Sequence, residues 1–149
     1  MIYKVYVDAA VKLDSKICGI GFVIFSEGNF IGLGDEVISN TSDSSKGESW
    51  AVGKALEYIY ERINPSSEDT ITIFCDSLFV CKFLNKCIQY YQKGNKNIFD
   101  FEPSAPWLKS ITKYVERIEA TIKVVKIKSH RDEINPNSYV DRLAKLNIQ

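Results

Sequence analysis

The order of strand-like and helix-like segments restricts this chain more than any other feature of its sequence. Three runs with strand composition come first, at 2–7, 16–25 and 30–39, and the turn-like SEGN separates the last two. A helical pattern follows, and the next strand pattern, TITIFC, begins at Thr70. Strands first and then strands alternating with helices predict an α/β protein with a mixed sheet.

The second half of the chain continues this alternation. A helix is predicted to begin near Ser77, and the polar stretch 91–106 is interpreted as a loop or an insertion. A helix over 107–118 and a strand over 121–128 come next, and Pro136 stands near the start of a last helix. The alternation of lysine with apolar residues over 121–128 predicts an edge strand with one wet face.

The directions of these strands follow from their connections. Two hairpins make the first three strands an antiparallel meander, and a right-handed crossover makes the fourth strand parallel to the first. A second crossover makes the fifth strand parallel as well. We therefore expect a five-stranded mixed sheet flanked by helices, in which strands four and five run parallel to strand one.

Length and composition restrict the class of protein. A chain of 149 residues can bury one substantial core, so we expect residues 1–149 to form a single domain. Lysine plus arginine and aspartate plus glutamate both total 19, so net charge neither indicates nor excludes a polyanionic partner. The N-terminus is too polar for a signal peptide and no apolar run is long enough for a membrane span. We expect a cytoplasmic monomer that does not associate with membranes.

The cysteines lie in or beside apolar runs, and no CxxC pair occurs; they are Cys18, Cys75, Cys81 and Cys87. This pattern favours buried free thiols over a metal site.

Acidic residues from separate segments meet at one edge of the expected sheet; they are Asp8, Glu48, Asp76 and Asp141. Ligands of open α/β sheets bind at the carboxyl ends of the strands. Clustered carboxylates repel one another unless a cation compensates them, and hard oxygen ligands favour Mg²⁺ or Mn²⁺ over zinc. Such ions are typical of phosphoryl-transfer sites, so this cluster suggests cleavage of a phosphodiester.

The sequence then resembles a known family. Its stretches match the successive motifs of the type 1 ribonuclease H family, in family order: YVDAA, GIGFVIF, SSKGESWAVGKAL, FCDSLFV and VKIKSHRDEINPNSYVDRLAK. The resemblance implies a ribonuclease H-like fold and a metal-dependent endonuclease that cuts the RNA strand of RNA/DNA hybrids. It further implies two-metal cleavage that leaves 5′-phosphate and 3′-hydroxyl ends.

The family's site residues are carried over by position. Asp8, Glu48, Asp76 and Asp141 match the ligands of two Mg²⁺ ions, with Mn²⁺ as a substitute. His130 resembles the family's mobile histidine, which is thought to shuttle a proton or to help release product. An unperturbed imidazole pKa near 6.5 suits this task.

Hybrid contacts are carried over in the same way. Ser44 and Ser45 stand where asparagines often stand in the family, and Asn137 matches a polar family position. Hydroxyl and amide groups can bond the 2′-hydroxyl, which distinguishes RNA from DNA.

The sequence departs from the family at several positions. The first motif reads Asp-Ala-Ala where Asp-Gly-Ser or Asp-Gly-Ala is usual, and Asp43 stands where a phosphate-binding threonine is expected. The segment 91–106 has the place of the family's basic handle but contains only Lys93 and Lys96 as cations. We therefore expect weak hybrid affinity with a strong salt dependence.

Each candidate residue also has a structural explanation. Asp76 could cap the following helix, and Ser45 with Glu48 matches an S-x-x-E capping box. Asp8 could be a turn residue, Asp141 an exposed helix acid and His130 a plain loop residue. The convergence of all the acids on one edge, in family order, favours catalysis.

The aromatic residues at helical positions favour core packing over base stacking for most of them; they are Tyr58, Tyr60, Phe79, Phe83, Tyr90 and Tyr91. The main alternative function is a non-catalytic ribonuclease H-like module that binds nucleic acid or protein. A related 3′ exonuclease is disfavoured, because its Asp-x-Glu motif would need an acid at Ala10. A purely structural protein would have no reason to gather the acids.

Overall fold

The computed structural model describes residues 1–12, 14–39, 41, 43–95 and 105–127. Its strands are β1 (Ile2–Lys12), β2 (Ile17–Ser26), β3 (Asn29–Ser39), β4 (Thr70–Cys75) and β5 (Thr121–Lys126). They form one sheet in the order β3-β2-β1-β4-β5, in which β1, β2 and β3 pair antiparallel and β4 and β5 run parallel to β1. The predicted five-stranded mixed sheet is confirmed.

The helices are α1 (Ser44–Tyr58), α2 (Leu78–Cys87) and α3 (Pro106–Arg117). A π-helical turn extends α1 over Ile59–Ile63, and another extends α2 over Ile88–Gln92. Helical structure therefore reaches the first residues of the stretch that was predicted to be a loop. Residues 96–104 of that stretch lie outside the described part of the chain.

The core joins the buried side of α1 to alternate residues of the sheet. The apolar positions of α1 and its π-helical extension that follow the helical period are fully buried: Ala51, Val52, Ala55, Leu56 and Ile59. Alternate residues of β1 and β4 meet them, among them Val5 and Ile73. These periods of 3.6 and 2 aim side chains from both elements into one layer, which holds α1 on the sheet.

The first turn of α1 contacts the sheet almost without an intervening side chain. A Cβ atom on Gly47 would overlap the Sγ atom of Cys18 and would lie 2.9 Å from the Cβ of Ala9. Only glycine allows this approach of the helix backbone to β1 and β2. The approach sets the position from which Glu48, the next residue, reaches the sheet edge.

The cysteines differ from the prediction. Cys75 ends β4, Cys81 lies in the first part of α2, and the two form a disulfide with their Cα atoms 6.5 Å apart. The expectation of free thiols is therefore wrong for this pair, because the short connection from β4 turns α2 back over the end of the strand. Cys18 and Cys87 are free and buried, as predicted.

The edge strand β5 has the predicted wet face. Ile122 is buried, whereas Lys123 and Val125, on the other face of the strand, are exposed. The last helix expected after Pro136 lies outside the described residues. Within the described ranges, no helix is long and apolar enough to cross a membrane.

Candidate active site

Asp8 lies in β1, and Asp76 directly follows β4, the neighbouring parallel strand. The ladder between β1 and β4 runs to the pair Tyr6 and Phe74, and Asp8 and Asp76 follow that pair at equal distance along the chain. The two acids are therefore level at one edge of the sheet. Asp8 is only 6% exposed, and its Oδ1 accepts the N–H of Ala9 at 2.9 Å. It is not a turn residue, because β1 continues past it to Lys12.

Glu48 joins α1 to this edge. Its side chain is buried, and Oε1 accepts the backbone N–H groups of Asp76 at 2.8 Å and Ser77 at 3.0 Å. The capping-box explanation of Glu48 is wrong, because the N-cap of α1 is Asp43, whose carboxylate accepts the N–H of Ser45 at 2.8 Å. Glu48 reaches across to another segment instead of back along its own helix.

The turn after β4 is held by Ser77. Its hydroxyl accepts the N–H of Val80 at 3.3 Å as the N-cap of α2, so Asp76 is not the cap of that helix. The same hydroxyl lies 3.0 Å from that of Ser45, which links the starts of α1 and α2. The sequence predicted a helix start near Ser77 but not the capping role of its side chain, although a serine before an apolar helical run is a favoured N-cap.

The electrostatics of the site centre on Glu48. Burial raises the pKa of this carboxyl to about 7, opposed by the hydrogen bonds from Ser77 and Asp76. The charge of Asp76 also raises this pKa, and the ammonium of Lys126 lowers it. Lys126 was predicted to lie on a merely solvated face. Lys126 ends β5 opposite Cys75 of β4 in the strand register, which brings its charge within electrostatic reach of the site.

The donor chemistry fits a hard divalent cation. Asp8 and Glu48 are buried carboxylates, and a carboxylate whose burial raises its pKa gains when a cation stabilises its charged form. In the described part of the chain, no group of three or more His, Cys, Asp or Glu side chains is arranged to hold a metal. Asp141, His130 and Asn137 lie outside the described residues.

Two of the predicted hybrid contacts, Ser44 and Ser45, lie within the described residues and precede Glu48 in the first turn of α1. Ser44 is exposed in the first turn of α1 and Ser45 is half-buried. The ammonium of Lys46, the next residue, lies 4.3 Å from the centre of the Trp107 ring, which ties the start of α3 to the start of α1.

Most aromatic side chains that were predicted to pack in the core do so, but Phe79 is exposed. Tyr58, Tyr60, Phe83 and Tyr91 pack against buried residues, in agreement with the prediction. Phe79 does not, since it is 52% exposed in the first turn of α2.

Comparison with known proteins identifies the family. The RNase H family model matches residues 2–149, which is nearly the whole chain. The chain belongs to the RNase H family. Members of the RNase H family generally use divalent metal ions.

A solved structure shares the RNase H fold. The crystal structure of RNase H1 from the halophilic archaeon Halobacterium salinarum NRC-1 matches with a TM-score of 0.63 at 18% identity. The match covers 100% of both chains, and at this identity it shows the fold alone. No curated protein matches the sequence.

Proposed function

We propose that this protein is a metal-dependent endonuclease that hydrolyses the RNA strand of RNA/DNA hybrids and leaves 5′-phosphate and 3′-hydroxyl ends. The observation that carries the proposal is the hydrogen bond that buried Glu48 accepts from the backbone N–H of Asp76, in a chain of the RNase H family. Asp8 lies level with that turn on the neighbouring strand. Carboxylates from three chain segments thus lie at the same end of the parallel strands β1 and β4.

We propose four metal ligands, Asp8, Glu48, Asp76 and Asp141. They would bind two Mg²⁺ ions, for which Mn²⁺ can substitute. When bound, such ions activate the attacking water and stabilise the leaving oxygen. Glu48 positions the Asp76 turn through two backbone hydrogen bonds. Lys126 favours the ionised form of Glu48, which is the form that binds a cation.

The remaining roles concern substrate and proton transfer. We propose that Ser44, Ser45 and Asn137 contact the hybrid, with hydroxyls available for the 2′-hydroxyl that marks the RNA strand. His130 is proposed to shuttle a proton or to assist product release. We further propose that residues 1–149 act as one domain, as a monomer in the cytoplasm.

A non-catalytic module that binds nucleic acid or protein is the second candidate. It is favoured by the departures from the family's motifs, Asp-Ala-Ala in the first motif and Asp43 in place of a phosphate-binding threonine. Such a module would bind without cleaving.

Cleavage of a labelled RNA/DNA hybrid in low salt tests the proposal. The assay uses Mg²⁺, Mn²⁺ or EDTA, with matched single-stranded RNA and duplex DNA as controls. We expect cutting of the RNA strand in the hybrid alone, and only with metal. A folded protein that cuts nothing with either metal would instead be the binding module.

A further inference from the structure

The outer strand β3 carries a concentration of exposed apolar side chains. Its large apolar residues that are more than a third exposed are Phe30, Ile31, Leu33 and Val37. In the part of the sheet that the structure describes, β3 pairs with β2 alone. The free N–H and C=O groups of a long edge strand pair readily with another chain, and natural proteins usually protect them. An apolar edge strand of 11 residues therefore indicates a contact surface.

The two faces of β3 differ in chemistry, because successive residues of a strand point to opposite sides. Leu33, Asp35 and Val37 share one face, which is exposed and mostly apolar. Gly34 and Glu36 share the other face, on which α1 packs mainly over β1 and β2. Glu36 is exposed and Gly34 is half-buried, so α1 leaves this side of β3 accessible. A strand added to β3 would thus meet a different environment on each face.

A groove of about 210 Å³ lies between β3 and the last turns of α1. The rings of Phe22 and Tyr58 form its floor, because a Cβ atom on Gly34 or Gly32 would overlap them. Among the described residues that line the groove, acids outnumber bases; they are Asp35, Glu36, Glu57 and Glu61 against Lys54 and Arg62. The groove therefore combines an aromatic floor with a negative rim.

The aromatic floor already contacts one cation. The guanidinium of Arg62 lies 5.3 Å from the centre of the Tyr58 ring, which is a cation–π distance. Within the described ranges, neither Glu57 nor Glu61 forms an ion pair. A further Lys or Arg side chain could pack its methylene groups on the rings and place its charged end beside these glutamates. The groove thus suits a cationic side chain that comes from outside the chain.

We propose that the β3 edge, defined as the free edge of β3 with Leu33, Val37, Glu57 and Glu61, docks an extended basic peptide of a partner protein. Main-chain hydrogen bonds add the peptide to the sheet as a further strand. Its alternate side chains are apolar and pack on Leu33 and Val37, and the intervening ones are Lys or Arg and enter the groove.

The charges of β3 favour a different protein over a second copy of this chain. Asp35 and Glu36 of two copies would meet at a shared edge, where like charges repel. A basic strand would instead place opposite charges there. This docking does not depend on the proposed nuclease, since it uses none of the proposed metal ligands.

Hydrogen exchange with a designed peptide tests the strand addition. The probe is a capped heptapeptide of alternating lysine and valine, and its counterpart with glutamate in place of lysine is the control. We expect saturating probe to slow exchange of the outer amides of β3 at least about tenfold and to leave β5, the opposite edge strand, unchanged. The acidic counterpart should protect neither strand. An unprotected β3 overturns the proposal.

N-methylated peptides distinguish strand addition from charge attraction alone. Only alternate N–H groups of an added strand face its neighbour. N-methylation of one set of residues, either all the lysines or all the valines, should therefore abolish binding, and methylation of the other set should not. Binding that neither methylation weakens overturns the strand addition.

The apolar contact has a matched control on the opposite edge of the sheet. Val37 of β3 is 42% exposed and Val125 of β5 is 39% exposed. We expect V37S to weaken binding of the lysine–valine peptide about fivefold, through lost apolar contact, and V125S to leave the Kd unchanged. Circular dichroism and thermal melting establish that each variant folds. A V37S protein that binds like V125S overturns the apolar contact.

The groove is tested by removing its charge. E57Q/E61Q is compared with E116Q/E119Q, a pair of exposed acids at the end of α3. We expect the groove pair to weaken peptide binding about tenfold at low salt and the difference to shrink in 0.5 M salt, roughly in line with screening over a few ångströms. The α3 pair should change the Kd less than about twofold. Equal effects of the two pairs, or no effect of either, overturn the role of the groove.

Discussion

Glu48 accepts the backbone N–H of Ser77 through Oε1 at 3.0 Å, across 29 positions of sequence. The second bond of the same oxygen, to the N–H of Asp76, makes the start of α1 and the turn after β4 one hydrogen-bonded unit. A buried carboxylate that serves as a backbone acceptor is held in a single orientation. This bond therefore couples the position of one proposed metal ligand to that of another.

The stability of the metal-free protein should fall as pH rises, because of Glu48. The pKa of its carboxyl is about 7 when folded, against an ordinary value of 4.5. The folded state thus keeps a proton that the unfolded state loses, so this contribution is full below pH 4.5 and is lost as pH rises through about 7. E48Q keeps the acceptor oxygen and cannot ionise. Relative to wild type, the free energy of unfolding of E48Q should rise by up to about 3 kcal/mol between pH 4.5 and 8.

Urea unfolding in EDTA at several pH values measures this effect. D35N removes an exposed carboxylate of β3 and serves as the control. Parallel pH profiles of wild type and E48Q would contradict the prediction.

The substitution D76N should separate catalysis from folding. We expect cleavage to fall at least about 100-fold through the loss of a proposed metal ligand. The melting temperature in EDTA should stay level or rise, because the charge of Asp76 disfavours ionised Glu48. The stabilisation that Mg²⁺ gives the wild type should be absent from D76N.

E68Q is the matched control for D76N, since Glu68 is exposed and precedes the opposite end of β4. It should cleave and respond to Mg²⁺ as the wild type does. A D76N protein that retains cleavage would remove Asp76 from the proposed site.

The hydroxyl pair of Ser45 and Ser77 should show coupling in a double-mutant cycle. S77A removes the N-cap of α2 and should lower the free energy of unfolding by about 1 kcal/mol. Because the two hydroxyls lie 3.0 Å apart, the effects of S45A and S77A should differ from additivity by at least about 0.5 kcal/mol. Additive effects in urea unfolding would show that the contact contributes nothing to stability.

The disulfide between Cys75 and Cys81 should respond to reductant. C81S should lower the free energy of unfolding by about 2 kcal/mol without reductant, as expected for a short closed loop. Wild type in dithiothreitol should lose a similar amount, and C81S should not respond. Thiol titration of the wild type in denaturant should detect only Cys18 and Cys87. Detection of all the cysteines would contradict the bond.

Local sequence patterns were sufficient for the architecture. Val5 and Ile73 are buried at alternate positions of their strands, and Leu56 and Ile59 are buried at the helical period. These patterns depend only on the periods of the backbone, which are the same in every protein. The order of strands and helices then restricted the sheet to the topology that the structure has.

The same patterns could not say how the site is held. The sequence pattern of Ser45 and Glu48 matches a capping box. In the structure, Asp43 caps α1, and Glu48 accepts a hydrogen bond from the turn after β4. A carboxylate near a helix start can satisfy its own helix or another segment. Only the distance to that segment in the folded chain decides between them.

The sequence by itself determined which segments become strands and helices and the order in which candidate acids occur, because those properties follow from local periodicity and motif order. The tertiary structure alone decided the partner of Glu48, the pairing of Cys75 with Cys81 and the exposure of Phe79. Each of these depends on how closely two elements approach, which is set by the packing of the whole core. Gly47 shows the scale involved, since a single methyl group there would move α1 away from the sheet.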